Sequence, residues 1–197
     1  MREIALFGED IGHESVLSSL IYRYALEYGI TVNIRTLSAR GGITKVYYEF
    51  DSFLRDINKA RISTPDLIVV ATDSNCIGYL KRRQQLEKVV NKYGALADLV
   101  AYAIPEPHIE RWVLADGDAF KNVVGKGCTL PRIKCAKDEY KRLLALSVRD
   151  AGIRPILGGM EYAEDIIKSA NLSRIEKNEP SFEKTAKQLR GFFQRWQ

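Results

Sequence analysis

Apolar side chains recur along this chain in two rhythms. Residues 3–7 (EIALF) form a short apolar run that reads as a strand. Val16, Leu17, Leu20, Ile21, Tyr24, Ala25 and Tyr28 then fall on one helical face, predicting a helix over 14–28, and Gly29 stands where a helix C-cap belongs. The β-branched segment ITVNIRTL predicts a second strand at 31–37. Beyond the breakers Gly41 and Gly42, Val46, Phe50, Phe53, Leu54 and Ile57 mark a second helix. STPD at 63–66 is a turn. LIVVAT at 67–72 is apolar on both faces, as a strand in the middle of a parallel sheet must be. A third helix is expected over 77–93, ended by Gly94, and a fourth strand near 98–104, stopped by Pro105 and Pro107.

Strands alternating with helices of this length imply an α/β fold, a parallel sheet covered on both faces with right-handed crossovers. After residue 105 the pattern turns helical. HIERWVLADGDAF reads as a short helix, followed by a Gly- and Lys-rich loop at 125–134 and helices near 136–150, 159–170 and 182–196. In the last, Phe182, Ala186, Leu189, Phe193 and Trp196 share one face. The expected organisation is an α/β core over 1–120 with a helical extension over 121–197 packed on it as a single compact unit.

Composition adds limits. A chain of 197 residues that is 46% hydrophobic can bury a sizeable core. It lacks a run of about 18 apolar residues, so no membrane-spanning helix is expected. MREIALFGED meets its acidic cluster too early for a secretory signal. Cys76, Cys128 and Cys135 are odd in number and scattered, which reads as free thiols in a cytoplasmic protein. The net charge of +5 permits a polyanionic partner without requiring one.

The candidate chemistry lies where the strands end. In an open parallel sheet, ligands bind beyond the carboxyl ends of the strands. Glu9 and Asp10 leave strand 1, Glu14 opens the following helix, Asp73 leaves strand 3 in VVATDSN, and Glu106 and Glu110 follow strand 4 in PEPHIERW. Topology alone delivers these carboxylates to one rim. Oxygen ligands suit Mg²⁺ or Mn²⁺, which can polarise a phosphoryl oxygen or activate water. Taken singly, each acid reads more readily as a solvated turn residue or a helix cap; it is Glu9, Glu14 and Asp73 jointly, with Glu110, that point to a site. Asn75 supplies a further oxygen two residues after Asp73, without its charge.

Other residues carry open alternatives. His13 is either a general acid or base, or a phosphate contact, or else an exposed loop residue. His108 sits beside the same rim. Arg40, in ARGG, is a phosphate contact or part of a surface turn. Lys81, Arg82 and Arg83 open the third helix beside Asp73, as contacts to a nucleic-acid backbone or as a solvated face. VGKGCTLPRIKCAK lacks P-loop spacing, although Lys126, Arg132, Lys134 and Lys137 give it a basic character. Cys128 and Cys135 have no nearby His, so no zinc site is expected. Trp112 and Trp196 read as core anchors.

GEDIGHESVL, VVATDSNCIGY and IPEPHIERWVLADGDAF, with EPSFEKTAKQL near the end, together resemble a TOPRIM-like family of unknown function. That family is related to the TOPRIM domains of overcoming-lysogenization-defect nucleases and is often encoded beside an ABC-type ATPase. The resemblance covers nearly the whole chain, and Glu-x-Trp-x-Leu-Ala-Asp is its most specific part. It implies a TOPRIM-like sheet, Mg²⁺- or Mn²⁺-dependent cleavage of DNA or RNA phosphodiesters, a role in prokaryotic defence and an ATPase partner. Carried onto this chain, Glu9, Glu14 and Asp73 hold metal, with Glu110 adding to them. From their positions alone, Glu9, Asp73 and His13 are the candidate catalytic residues, Asn75 a supporting metal ligand, and Arg40, Lys81 and Arg82 the candidate contacts to nucleic acid. The chain departs from the family pattern at Asp10, where Gly is usual, and at Asn75, where a second acid is usual. A non-catalytic nucleotide- or ATPase-binding subunit is the alternative.

Overall fold

The computed structural model describes residues 1–38, 42–132, 135 and 138–197. Four strands, β1 (Arg2–Gly8), β2 (Val32–Ser38), β3 (Leu67–Ala71) and β4 (Val100–Ala103), form one parallel sheet in the order β2-β1-β3-β4. It is an α/β architecture of the Rossmann-like kind. Alternate residues of the strands face opposite ways. Ile4, Leu6, Leu67, Val69 and Ala101 enter one core cluster, and Ala5, Phe7, Ile68, Val70 and Tyr102 enter the other. The unbroken apolar run of β3 is the sum of these two half-patterns.

Helices α1 (Ile11–Glu27), α2 (Ile43–Asn58) and α3 (Tyr79–Val90) connect the strands. Asp10 caps α1 by accepting the His13 backbone N–H at 3.1 Å. Val46, Phe50, Leu54 and Ile57 bury the inner face of α2, and with α3 it covers one side of the sheet. The other side is covered by α1 together with the later helices: α4 (Glu110–Leu114), α5 (Gly117–Val124), α6 (Glu139–Asp150), α7 (Ala163–Ser169), α8 (Leu172–Asn178) and α9 (Pro180–Trp196). Their core side chains, from Trp112 through Leu144 and Ile166 to Phe193, share one cluster with Ile4 and Leu17.

Several expected boundaries shift. The third helix starts at Tyr79, because Asn75–Ile77 makes a single 3-10 turn and Gly78 follows at φ 81°. It ends at Val90, and 3-10 turns over Asn91–Leu99 shorten the fourth strand to Val100–Ala103. HIERWVLADGDAF is two helices, α4 and α5, divided where Asp116 caps α5 by accepting the Asp118 N–H at 3.3 Å. Helix α8 was not expected; Asn171 caps it through the Arg174 N–H. Trp112 is fully buried, as expected, with its Nε1–H donated to Ser181 Oγ at 2.9 Å and its ring edge-on to Phe182. Beside it, Arg111 and Glu179 form a buried ion pair at 2.7 Å. Both contacts lock α4 to α9.

The cysteine reading is corrected. Cys76 and Cys135 are joined in a disulfide with Cα atoms 5.4 Å apart, and Cys128 is the free cysteine. The fold brings residues 59 apart in sequence together, linking the loop after β3 to the segment before α6. Among the described residues no helix is long and apolar enough to cross a membrane.

At the open side of β4, Gln188 of α9 accepts the Tyr102 N–H at 3.1 Å and donates to the Tyr102 carbonyl at 3.2 Å. One side-chain amide thus satisfies both outward-facing backbone groups of that residue.

Candidate functional site

The register ends all four strands in one row: Ser38, Gly8, Ala71 and Ala103 are successive partners. Chain leaves β1 to reach β2 on one side, while β3 pairs with β1 on the other. This makes the β1/β3 boundary the topological switch point, where α/β sheets place ligands. Glu9 and Asp10 leave β1 there and Asp73 leaves β3. Glu110 opens α4, after β4.

His13 is central and is not the exposed loop residue it could have been. It lies fully buried on the inner face of α1. Its Nδ1–H donates to Asp10 Oδ1 at 2.8 Å and its Nε2–H to Asp73 Oδ1 at 3.1 Å. Burial opposes its charge, but Asp73 and Asp10 hold its pKa well above the ordinary value. The result is an internal imidazolium between two carboxylates. Asp10 is held well below the usual carboxylate range, because its bonds to His13 outweigh the effect of burial. With both nitrogens engaged and no exposed surface, His13 orients acids; it does not reach a substrate. The expectation of a general acid or base at His13 is corrected on that ground.

Asp73 is 4% exposed and heavily constrained. Its Oδ1 also accepts the Ile109 N–H at 2.9 Å, its own N–H donates to Glu9 Oε2 at 3.3 Å, and its carbonyl accepts from Arg82 Nε at 2.9 Å. Glu9 has its pKa raised, first by burial and then by Asp73. Glu110 is pushed up to about 7 by the same two causes. Glu9 and Glu110 therefore each feel the charge of Asp73. Glu14 reaches the same place because Gly8 has no side chain: a Cβ there would stand 3.1 Å from Glu14 Cγ.

The remaining expected residues divide. Asn75 sits in the left-handed region at φ 48°, and its amide oxygen accepts His108 Nε2–H at 3.1 Å, so it faces His108. Lys81 is exposed in the first turn of α3. Arg82 is 6% exposed and spends its guanidinium on the Asp73 carbonyl, Tyr47 Oη and Gln85, which removes it as a surface contact to nucleic acid. Arg40 lies outside the described residues, as do Lys134 and Lys137. Lys141, on α6, was not anticipated. Partial burial disfavours its charge, yet Glu110, Asp73 and Asp10 raise its pKa, so it stands as a cation facing the rim's acids. It belongs to the amphipathic pattern of α6, where a lysine carries no distinguishing signal.

Among the described residues, five buried side-chain polar atoms lack a hydrogen-bond partner, and four surround this rim: Glu14 Oε1, Thr72 Oγ1, His108 Nδ1 and Glu110 Oε2. Buried polar atoms are nearly always satisfied, by protein or by ordered water, so these four mark where water or a ligand would complete the hydrogen bonding. Also among the described residues, no group of three or more His, Cys, Asp or Glu side chains stands ready as a metal cage. The donors nonetheless suit a hard cation: they are oxygens, they repel one another, and two have unused lone pairs. Mg²⁺ commonly takes one or two carboxylates and keeps its other positions for water and phosphate.

Comparison with protein-family models, with curated proteins and with solved structures finds no match for this chain.

Proposed function

We propose that the rim binds Mg²⁺ or Mn²⁺ through Glu9, Asp73 and Glu110, with Glu14 in support, and hydrolyses nucleic-acid phosphodiesters. The observation that carries this is the convergence of Glu9 and Glu110 on the buried Asp73 at the switch point, with a partnerless buried oxygen on Glu110 and another on Glu14 beside Gly8. A divalent cation supplies polarisation of a phosphoryl oxygen and an acidified water. The chain's own part is positioning. His13 and the Ile109 N–H both fix the Asp73 carboxylate through Oδ1, and Arg82 holds its backbone. Glu110, with a pKa of about 7, is suited to exchange a proton near neutral pH. The resemblance to TOPRIM-like proteins extends the proposal to an enzyme of prokaryotic defence working with an ABC-type ATPase.

One observation favours a second reading. His13 already occupies Asp73 Oδ1, and Asn75 is turned to His108, so the acids are partly neutralised from within. A non-catalytic subunit that binds a nucleotide or an ATPase would need no more.

The test is cleavage of labelled DNA and RNA with Mg²⁺, Mn²⁺ or EDTA, with Glu9→Gln alongside. The expected result is metal-dependent cleavage reduced at least about a hundredfold in the variant, the usual scale for losing one charge-stabilising group. Equal cleavage by both proteins sinks the assignment. Saturable Mg²⁺ binding without turnover selects the second reading.

A further inference from the structure

A second charged feature lies away from the acids, along α9 where it crosses β4. A cavity of about 510 Å³ there is walled by Arg83, Lys184, Lys187 and Arg195, against one carboxylate, Asp98. On α9, Lys184, Lys187, Gly191 and Arg195 recur at helical spacing, so they form one stripe. Gly191 keeps the middle of the stripe low: the nearest atom to a Cβ placed there is Arg195 Nη1 at 4.0 Å.

The cations are presented in different ways. Arg83 is spent on Glu87 at 2.7 Å and stacks on Tyr102 at 3.9 Å. Lys184 lies over the Tyr79 ring at 4.1 Å and Arg195 over Phe192 at 4.3 Å, each positioned by an aromatic face without losing its charge. Among the described residues, Lys184, Lys187 and Arg195 make no ion pair. Three exposed cations held in a row beside a recess, with one opposing carboxylate, are arranged for a polyanion.

We propose that this groove binds the phosphodiester backbone of a nucleic-acid strand. From Lys184 to Arg195 the helix advances about 16 Å, the rise of about five nucleotides of one strand at about 3.4 Å each. Cationic grooves that track a backbone hold segments of this length. The groove also points toward the rim. Tyr79, at its end, donates its backbone N–H to Glu106 Oε1 at 3.3 Å, and Glu106 belongs to the β4 exit loop whose Pro105 and Pro107 carbonyls accept from Ser74 and Asn75. The inference deepens the reading of the rim by placing its substrate, yet it is tested apart from cleavage.

Binding of fluorescent single-stranded DNA, single-stranded RNA and duplex DNA is measured by anisotropy in EDTA, over a salt series, for the full chain and for Lys184→Glu/Lys187→Glu/Arg195→Glu. Inorganic polyphosphate and polyglutamate serve as competitors. The expected result is saturable binding whose affinity falls more than about tenfold in the variant. The slope of log affinity against log salt should shrink by about 2, at about 0.7 per phosphate contact for single strands. Among the three probes, the tightest identifies the strand type. Lys184→Gln/Lys187→Gln/Arg195→Gln, compared by circular dichroism and melting, guards against a fold lost to charge reversal and should show a smaller loss of the same sign. Unchanged affinity in both variants overturns the proposal, as does equal competition by polyglutamate. Failure to cleave anything leaves it standing, because no metal is present in the assay.

Discussion

The acidic rim and the basic groove carry charge under opposite conditions. At the rim, His13 is fully buried, Asp73 and Glu110 are each 4% exposed, and every ionised group is answered or opposed by another within the fold. In the groove, Lys184, Lys187 and Arg195 are exposed and make no ion pair among the described residues, with Lys184 and Arg195 lying over aromatic rings. Removing a charge from water is expensive, while leaving a lysine on a helix surface costs almost nothing. The groove could therefore be assembled or lost by surface substitutions with little effect on folding. The rim could not, and its persistence in this form needs a use that offsets the energetic cost.

The sharpest way to break the contrast is His13→Ala. It leaves the Asp73 and Asp10 carboxylates without their cation, and removal of one partner from a buried ion pair typically costs about 3 to 5 kcal/mol. Chemical denaturation in EDTA should show that loss, and saturating Mg²⁺ should recover part of it if the rim accepts a divalent cation. A loss below about 1 kcal/mol would mean that the buried cluster is no more demanding than the groove.

Glu110→Gln should act in the other direction. The folded-state pKa is raised from 4.5 to about 7, so the folded protein holds this proton more tightly than the unfolded chain does. The stability lost through Glu110 is nil below about 4.5, grows as pH rises, and is complete above about 7. At about 1.4 kcal/mol per pKa unit, the glutamine variant should gain about 3 kcal/mol at pH 8 in EDTA and nothing at pH 4. Denaturation midpoints at the two pH values decide it, and an equal midpoint at pH 8 would refute the placement of Glu110 as a charge under strain. The same variant should lose cleavage, an exchange of activity for stability expected of functional sites.

The smallest effect belongs to the groove side. Gln188→Ala removes the acceptor of the Tyr102 N–H and one of the two donors to its carbonyl, the other being Thr185 Oγ1, and one unsatisfied backbone group costs about 1 to 2 kcal/mol. Thermal melting should register that modest loss with no dependence on pH between 5 and 8. A pH-dependent loss would show that the two charged regions communicate.

Much of the rim was legible in the sequence. Strand exits were readable from apolar runs ending in Gly8-Glu9-Asp10 and Thr72-Asp73, and parallel topology does the rest. What stayed hidden follows from where each helix was begun. His13 continues the buried stripe Val16, Leu17, Leu20 and Tyr24 by one further turn, and a helix started at 14 leaves it outside. Arg82 lies on the buried stripe Tyr79, Leu86 and Val90 of α3, so a cluster of three basic residues conceals one that faces inward. The Cys76–Cys135 link and the contact of Gln188 with Tyr102 depend on segments distant in sequence, which no local period encodes. Lys141 differs from any other helix lysine only through the acids that tertiary packing sets before it.

The Gln188 amide has a consequence for assembly. An edge strand with free backbone groups is a template on which another chain can continue the sheet. On the β4 side, the part of that template at Tyr102 is already taken by a side chain of the molecule's own last helix. On the β2 side, no strand lies beyond among the described residues, and Asn33 and Arg35 stand exposed along it. At Tyr102 a further strand would first have to displace the Gln188 amide, so extending the sheet there means breaking two hydrogen bonds that are already made.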